Sequence, residues 1–153
     1  MSPFYPTHSK PMAQVEKTVL VPYSAARMFD LVDTVESYPE FLPWCGGVDL
    51  QHRTESSTSA TLHINYHGIK QHFTTGNAKQ FPQRMDIALV DGPFRSLHGH
   101  WQFTPLSEAA CKIEFRLNYE FASPLLEKII APVFSHIADT FVDAFVSRAE
   151  KIL

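Results

Sequence analysis

The chain has 153 residues, 13 Lys+Arg against 16 Asp+Glu for a formal net charge of -3, and 44% hydrophobic residues. That length and apolar content predict one domain hiding roughly 70% of its extended surface, which argues against a two-domain enzyme and removes the need for metal or disulfide staples. Mild acidity argues against a whole-surface nucleic-acid footprint and against DNA as a partner, and Cys45 and Cys111 alone supply neither CxxC spacing nor a disulfide framework.

In chain order, residues 1 to 12 carry Pro3, Pro6 and Pro11 without a periodic apolar face, and read as a disordered tail ahead of a domain spanning 13 to 153. QVEKTVLV at 14 to 21 reads as a strand that Pro22 ends. Ser24 is placed to cap a helix over Ala25 to Val32, and Asp33 to open a short second helical piece, Val35 to Leu42, limited by Pro39 and Pro43. PWCGG at 43 to 47 then reads as a tight junction into a sheet.

Turn-like points divide the following stretch into strands near 48 to 55, 58 to 66, 69 to 80, 84 to 90, 97 to 104 and 110 to 121. Period two is clearest at the end, where Cys111, Ile113, Phe115, Leu117, Tyr119 and Phe121 alternate with polar residues. The short connections require antiparallel pairing, because parallel crossovers consume a dozen or more residues. Ser123-Pro124 is an N-cap followed by Pro at the first helical position, and opens a helix running to about Ile152 with Leu126, Ile130, Val133, Ile137 and Phe141 on one stripe. Pro132 inside that stripe predicts a bend or a break. No uninterrupted apolar run approaches bilayer length and the opening residues lack a signal-peptide core, so the expected location is cytoplasmic.

These elements form an α+β layout: a curved antiparallel sheet wrapped around a long C-terminal helix, with two short helices after the first strand. Large apolar side chains from both layers either line a cavity or interdigitate as solid core, and the pattern leaves both readings open.

The element order, VPYSAARMFDLVDTVESYPEFLPWC at 21 to 45, DGPF at 91 to 94 and LHGHWQF at 97 to 103 together resemble the Coq10/RatA branch of the START or Bet v 1-like helix-grip superfamily. The resemblance covers 13 to 153, and departs at Thr34, a place often acidic in the pattern. It implies a sheet gripping the last helix over an apolar tunnel. It also implies functions of different classes: binding of coenzyme Q or a related polyprenyl lipid, association with the large ribosomal subunit that interferes with subunit joining as a toxin-like activity, or aromatic polyketide cyclase or dehydrase chemistry.

A quinone or isoprenoid needs an elongated dry cavity, each sequestered CH₂ contributing on the order of 0.8 kcal/mol. Phe41, Leu42, Trp44 and Phe94 are the candidates for its entrance, and Trp101, Phe103, Phe115, Ile130, Phe134 and Ile137 for its body. Phe41 and Trp44 are also placed to touch a membrane surface transiently, since no polybasic anchor accompanies them. The ribosome reading draws on the acid-free interval between Glu55 and Asp86, where Lys70, Lys79 and Arg84 are candidate RNA contacts beside His63, His67 and His72. No catalytic residue, metal ligand or required cofactor is assigned. The leading expectation is binding and presentation of a coenzyme Q-like lipid, with ribosome association as the alternative and cyclase chemistry third.

Overall fold

The structure, a computed structural model, describes residues 12–153; the expected tail lies outside them except for Met12. Seven strands form one antiparallel curved sheet in the order β1-β7-β6-β5-β4-β3-β2. They are β1 (Ala13–Val21), β2 (Cys45–Arg53), β3 (Ser57–Tyr66), β4 (Ile69–Gln80), β5 (Arg84–Asp91), β6 (Phe94–Ser107) and β7 (Ala110–Phe121). Two helices accompany them, α1 (Ala25–Asp33) and α2 (Pro124–Ile152), with a 3₁₀ helix over Val35–Glu40.

Alternation along β7 turns Cys111, Ile113, Phe115, Leu117, Tyr119 and Phe121 into the core. This strand joins β1 to β6, with Val15 opposite Leu117 and Trp101 opposite Phe115. Gly99 leaves no room for a side chain between β6 and β7: a Cβ there would lie 2.1 Å from the Arg116 carbonyl oxygen.

The helix ends follow local chemistry. Ser24 and Ser123 each accept a hydrogen bond at 3.2 Å, from the backbone N–H of Arg27 and of Leu126 respectively. At the C-terminal end of α1, hydroxyls and a guanidinium add hydrogen bonds to the last carbonyls: Thr34 donates to Asp30, whose carbonyl also accepts the Thr34 N–H, while Tyr38 donates to Val32 and Arg53 to Asp33. The following piece is a 3₁₀ helix ending at Glu40, shorter than expected, because Pro39 lacks the N–H that an α-helical turn requires there.

Three sequence expectations need correction. Gly46 and Gly47 lie inside β2, at a bulge between Cys45 and Gly47, rather than in a junction preceding it. Strand β6 spans Phe94–Ser107 and is longer at both ends. The expected break at Pro132 is absent, and α2 runs unbroken through it over 29 residues. Pro132 faces solvent, so water can satisfy the Lys128 carbonyl it deprives of a partner, while buried Ile130 and Phe134 hold the flanking turns. By length and composition α2 is apolar enough to cross a bilayer; in this fold it buries Ile130, Phe134, Ile137, Ala138, Val142, Phe145 and Ala149 instead.

Candidate functional site

Between the concave sheet face and the middle of α2 the core is incompletely filled, leaving a cavity of about 70 Å³. Period-two alternation brings Ala60 and Leu62 from β3, Phe73, Thr75 and Asn77 from β4, and Met85 and Ile87 from β5 to its wall. Leu97 and Trp101 from β6 and Phe115 and Leu117 from β7 continue it. Helical spacing supplies Phe134, Ile137, Ala138 and Phe141, and Val32, Val35, Tyr38 and Trp44 close the remaining side.

Of the expected lipid contacts, Trp44, Trp101, Phe115, Phe134 and Ile137 do line this cavity, and the other five do not. Phe103 packs at 5.8 Å on Trp101 and edge-on to Phe29 of α1. Phe94 joins Phe73, Tyr119, Phe121 and Phe134 in an aromatic cluster, and Ile130 and Leu42 are wholly enclosed. These four are structural core because neighbouring rings and helices fill the space beside them. Phe41 lies on the outside, under the Arg148 guanidinium at 5.2 Å, and lines an open groove of about 570 Å³ with Pro43, Tyr66, His136, Ser147 and Lys151.

Trp44 borders both spaces. Its backbone is pinned: the Trp44 carbonyl accepts from Asn65 N–H at 2.9 Å, and the next residue, Cys45, donates to Leu42 at 3.0 Å. The indole is thus a partition between the groove and the cavity, with the Phe141 ring 6.3 Å away on the helix side.

The cavity wall holds no carboxylate, imidazole or amine; its polar side-chain groups belong to Tyr38, Thr75, Asn77 and the indole N–H of Trp44 and Trp101. Tyr38 donates to the Val32 carbonyl at 2.5 Å, and burial, followed by the charge of Asp33, pushes its pKa far above the ordinary phenol value. It therefore stays a fixed neutral donor. Asn77 donates from Nδ2 to the Met85 sulfur at 3.6 Å, while its Oδ1 is shielded from solvent and has no hydrogen-bond partner. Sequence reasoning missed Asn77. The available signal was parity, since 73, 75, 77 and 79 share the inward face of β4.

The same parity corrects the expected basic patch. Lys79 points inward, its side chain 4% exposed, with Nζ 2.9 Å from Asp33 Oδ2. Asp33 also accepts from the Thr58 hydroxyl at 2.8 Å. Lys79 is thus a buried structural cation and offers nothing to RNA phosphate. Arg84 is engaged with Asp86 and Gln102, and Lys70 is exposed at the opposite end of β4. Because Arg84 pairs with Gln80, roughly 33 Å of strand separates Lys70 from Arg84 at about 3.3 Å per residue. The three side chains do not form one surface.

The remaining candidates for chemistry have structural roles. Cys45 and Cys111 are buried free thiols whose pKa values burial raises, the opposite of nucleophile activation. His63 pairs with Asp49 at 2.7 Å and faces His72 across the β3–β4 ladder. Among the described residues no group of three or more His, Cys, Asp or Glu could hold a metal ion.

Residues 21–146 match the family model described as polyketide cyclase / dehydrase and lipid transport. The ribosome association toxin RatA of Escherichia coli K12 is 44% identical over 141 residues, covering 92% of this chain and 89% of that protein. The mitochondrial coenzyme Q-binding protein coq10 of Schizosaccharomyces pombe is 26% identical over 138 residues, covering 86% and 83%. A START superfamily protein from Mycobacterium smegmatis superposes with a TM-score of 0.72 at 21% identity, covering 92% of this chain and 99% of that one, a likeness of fold. With its sheet gripping a terminal helix over an apolar cavity, the chain belongs to the polyketide cyclase / dehydrase and lipid transport family.

Proposed function

We propose that this chain acts as a RatA-type ribosome-associating protein that binds the large subunit and hinders subunit joining. The observation that carries the reading is the gap between relatives: 44% identity with RatA against 26% with coq10 over nearly the same span. The cavity agrees with that ranking, because about 70 Å³ falls well short of the roughly 300 to 1,000 Å³ of ordinary small-molecule sites. With Lys79 buried, exposed Lys70 beside Tyr66 and His67 at the β3–β4 turn is the better candidate for phosphate contact.

Sucrose-gradient sedimentation of ribosomal subunits with the purified chain at low salt tests this. Saturable comigration with the large subunit and a smaller joined-ribosome peak are expected, with Lys70→Glu weakening association a few-fold and making it less sensitive to salt, because fewer counterions are released on binding. A chain that stays at the top of the gradient at subunit-equivalent concentration refutes the proposal.

A second reading is favoured by the apolar cavity between sheet and helix: the domain takes a hydrophobic ligand, with a polyprenyl quinone such as coenzyme Q as the candidate. A polyprenyl tail requires displacement of the Trp44 partition so that the cavity joins the outer groove. Organic extraction and mass spectrometry of protein purified without added lipid test it; a stoichiometric quinone supports it, and an empty extract counts against it. Cyclase or dehydrase chemistry has less support, since acid–base catalysis needs a titratable group near the operating pH and the cavity wall offers only Tyr38.

A further inference from the structure

The wall of the cavity is mostly apolar, and among its few polar members is Asn77 of β4, which lies between Thr58 of β3 and Ile87 of β5 in the ladder. Its amide orientation has a chemical reason. The Met85 thioether 3.6 Å away accepts hydrogen bonds but cannot donate, so it holds Nδ2 and leaves Oδ1 on the other side. That oxygen is a strong acceptor, cut off from water and without a partner. Buried carbonyl oxygens are rarely left in this state, because the lost hydration is not recovered. The Tyr38 hydroxyl, a donor in the same wall, is committed to the Val32 carbonyl.

We propose that the cavity selects a compact aromatic hydroxyl, a phenol or the hydroxyl-bearing ring of a reduced quinol, whose O–H donates to Asn77 Oδ1. The inference rests on the hydrophobic-ligand reading above and adds the polarity of the head group. A quinone or aryl ether offers only acceptors and meets Oδ1 with repulsion, whereas a phenol satisfies it while its ring packs among Leu62, Met85 and Trp101. At about 70 Å³ the cavity is smaller than the roughly 150 Å³ that houses a benzene ring. Entry of a ring therefore widens it, and Trp44 is the wall member that also lines the outer groove.

The full chain is titrated with p-cresol and with toluene, which differ only by the hydroxyl, and followed by calorimetry and by the NMR shift of the Met85 methyl group. p-Cresol is expected to bind at least tenfold more tightly than toluene, since a site with a buried acceptor rejects the analogue lacking its donor. Asn77→Leu is expected to raise the melting temperature and erase that preference. Equal binding of the two probes to the native chain overturns the donor proposal and leaves the hydrophobic-ligand reading standing; binding of neither overturns both. The probe comparison on the unsubstituted protein decides the matter even if the variant folds poorly.

Discussion

Replacing Lys79 with Met keeps most of the buried methylene stem and removes only the ammonium that faces Asp33 at 2.9 Å. Both partners are shielded, with side chains 4% and 13% exposed. Unpairing a fully buried charge costs about 3 to 5 kcal/mol. Asp33 here retains the Thr58 hydroxyl at 2.8 Å and the Arg53 Nε at 3.5 Å, so the expected loss is about 2 to 3 kcal/mol. A domain of this size shifts by about 2 to 4 °C per kcal/mol, which places the fall in melting temperature near 5 to 10 °C in a calorimetric scan. The loss should persist in high salt, because ions screen buried pairs poorly. Converting Asp33 to Asn in the same protein should restore much of it by removing the orphaned charge. A melting temperature unchanged within about 2 °C, together with weakened ribosome sedimentation, would show that the ammonium works at the surface and would refute the assignment.

Gly99→Ala places a methyl group 2.1 Å from the Arg116 carbonyl oxygen and 3.0 Å from the Leu117 Cα. Both neighbours are backbone and no rotamer relieves the clash, so denaturant unfolding should show a loss of at least about 2 kcal/mol. The Arg53 guanidinium holds Glu36 down to a pKa of about 2 from its ordinary 4.5. That contribution to stability is complete above pH 4.5 and disappears as pH falls toward 2, so Glu36→Gln should flatten this part of the acid-unfolding curve. Trp44→Ala removes the wall shared by cavity and groove. It should cost about 3 to 5 kcal/mol and raise binding of a hydrophobic fluorescent dye to the folded protein, and unchanged dye uptake would mean the indole is not the partition.

The regular elements were legible because their signals are local. The caps at Ser24 and Ser123 and the alternation along β7 each need only a few neighbouring residues. Lys79 was misread for the opposite reason: its partner Asp33 lies 46 residues earlier, and a tally of charge along one segment has no knowledge of that distance. Leu42, Phe94 and Ile130 carry the apolar character expected of a ligand wall, but whether a ring borders empty space or another ring depends on all the elements packed around it. Asn77 went unnoticed because polar residues are common in strands; only the inward register of β4 distinguishes it.

The sheet does not close on itself, so β2 is left with one unpaired side. Two register shifts, at Cys45/Gly47 and Leu50/His52, bend that rim, and Arg53 ties its far end to Glu36 of the 3₁₀ helix. A rim that is kinked twice and charged at one end makes a poor template for another chain to lengthen the ladder. At this edge the domain can therefore keep an open sheet around its final helix, with the separation of layers that a cavity needs, without inviting another strand to pair with β2.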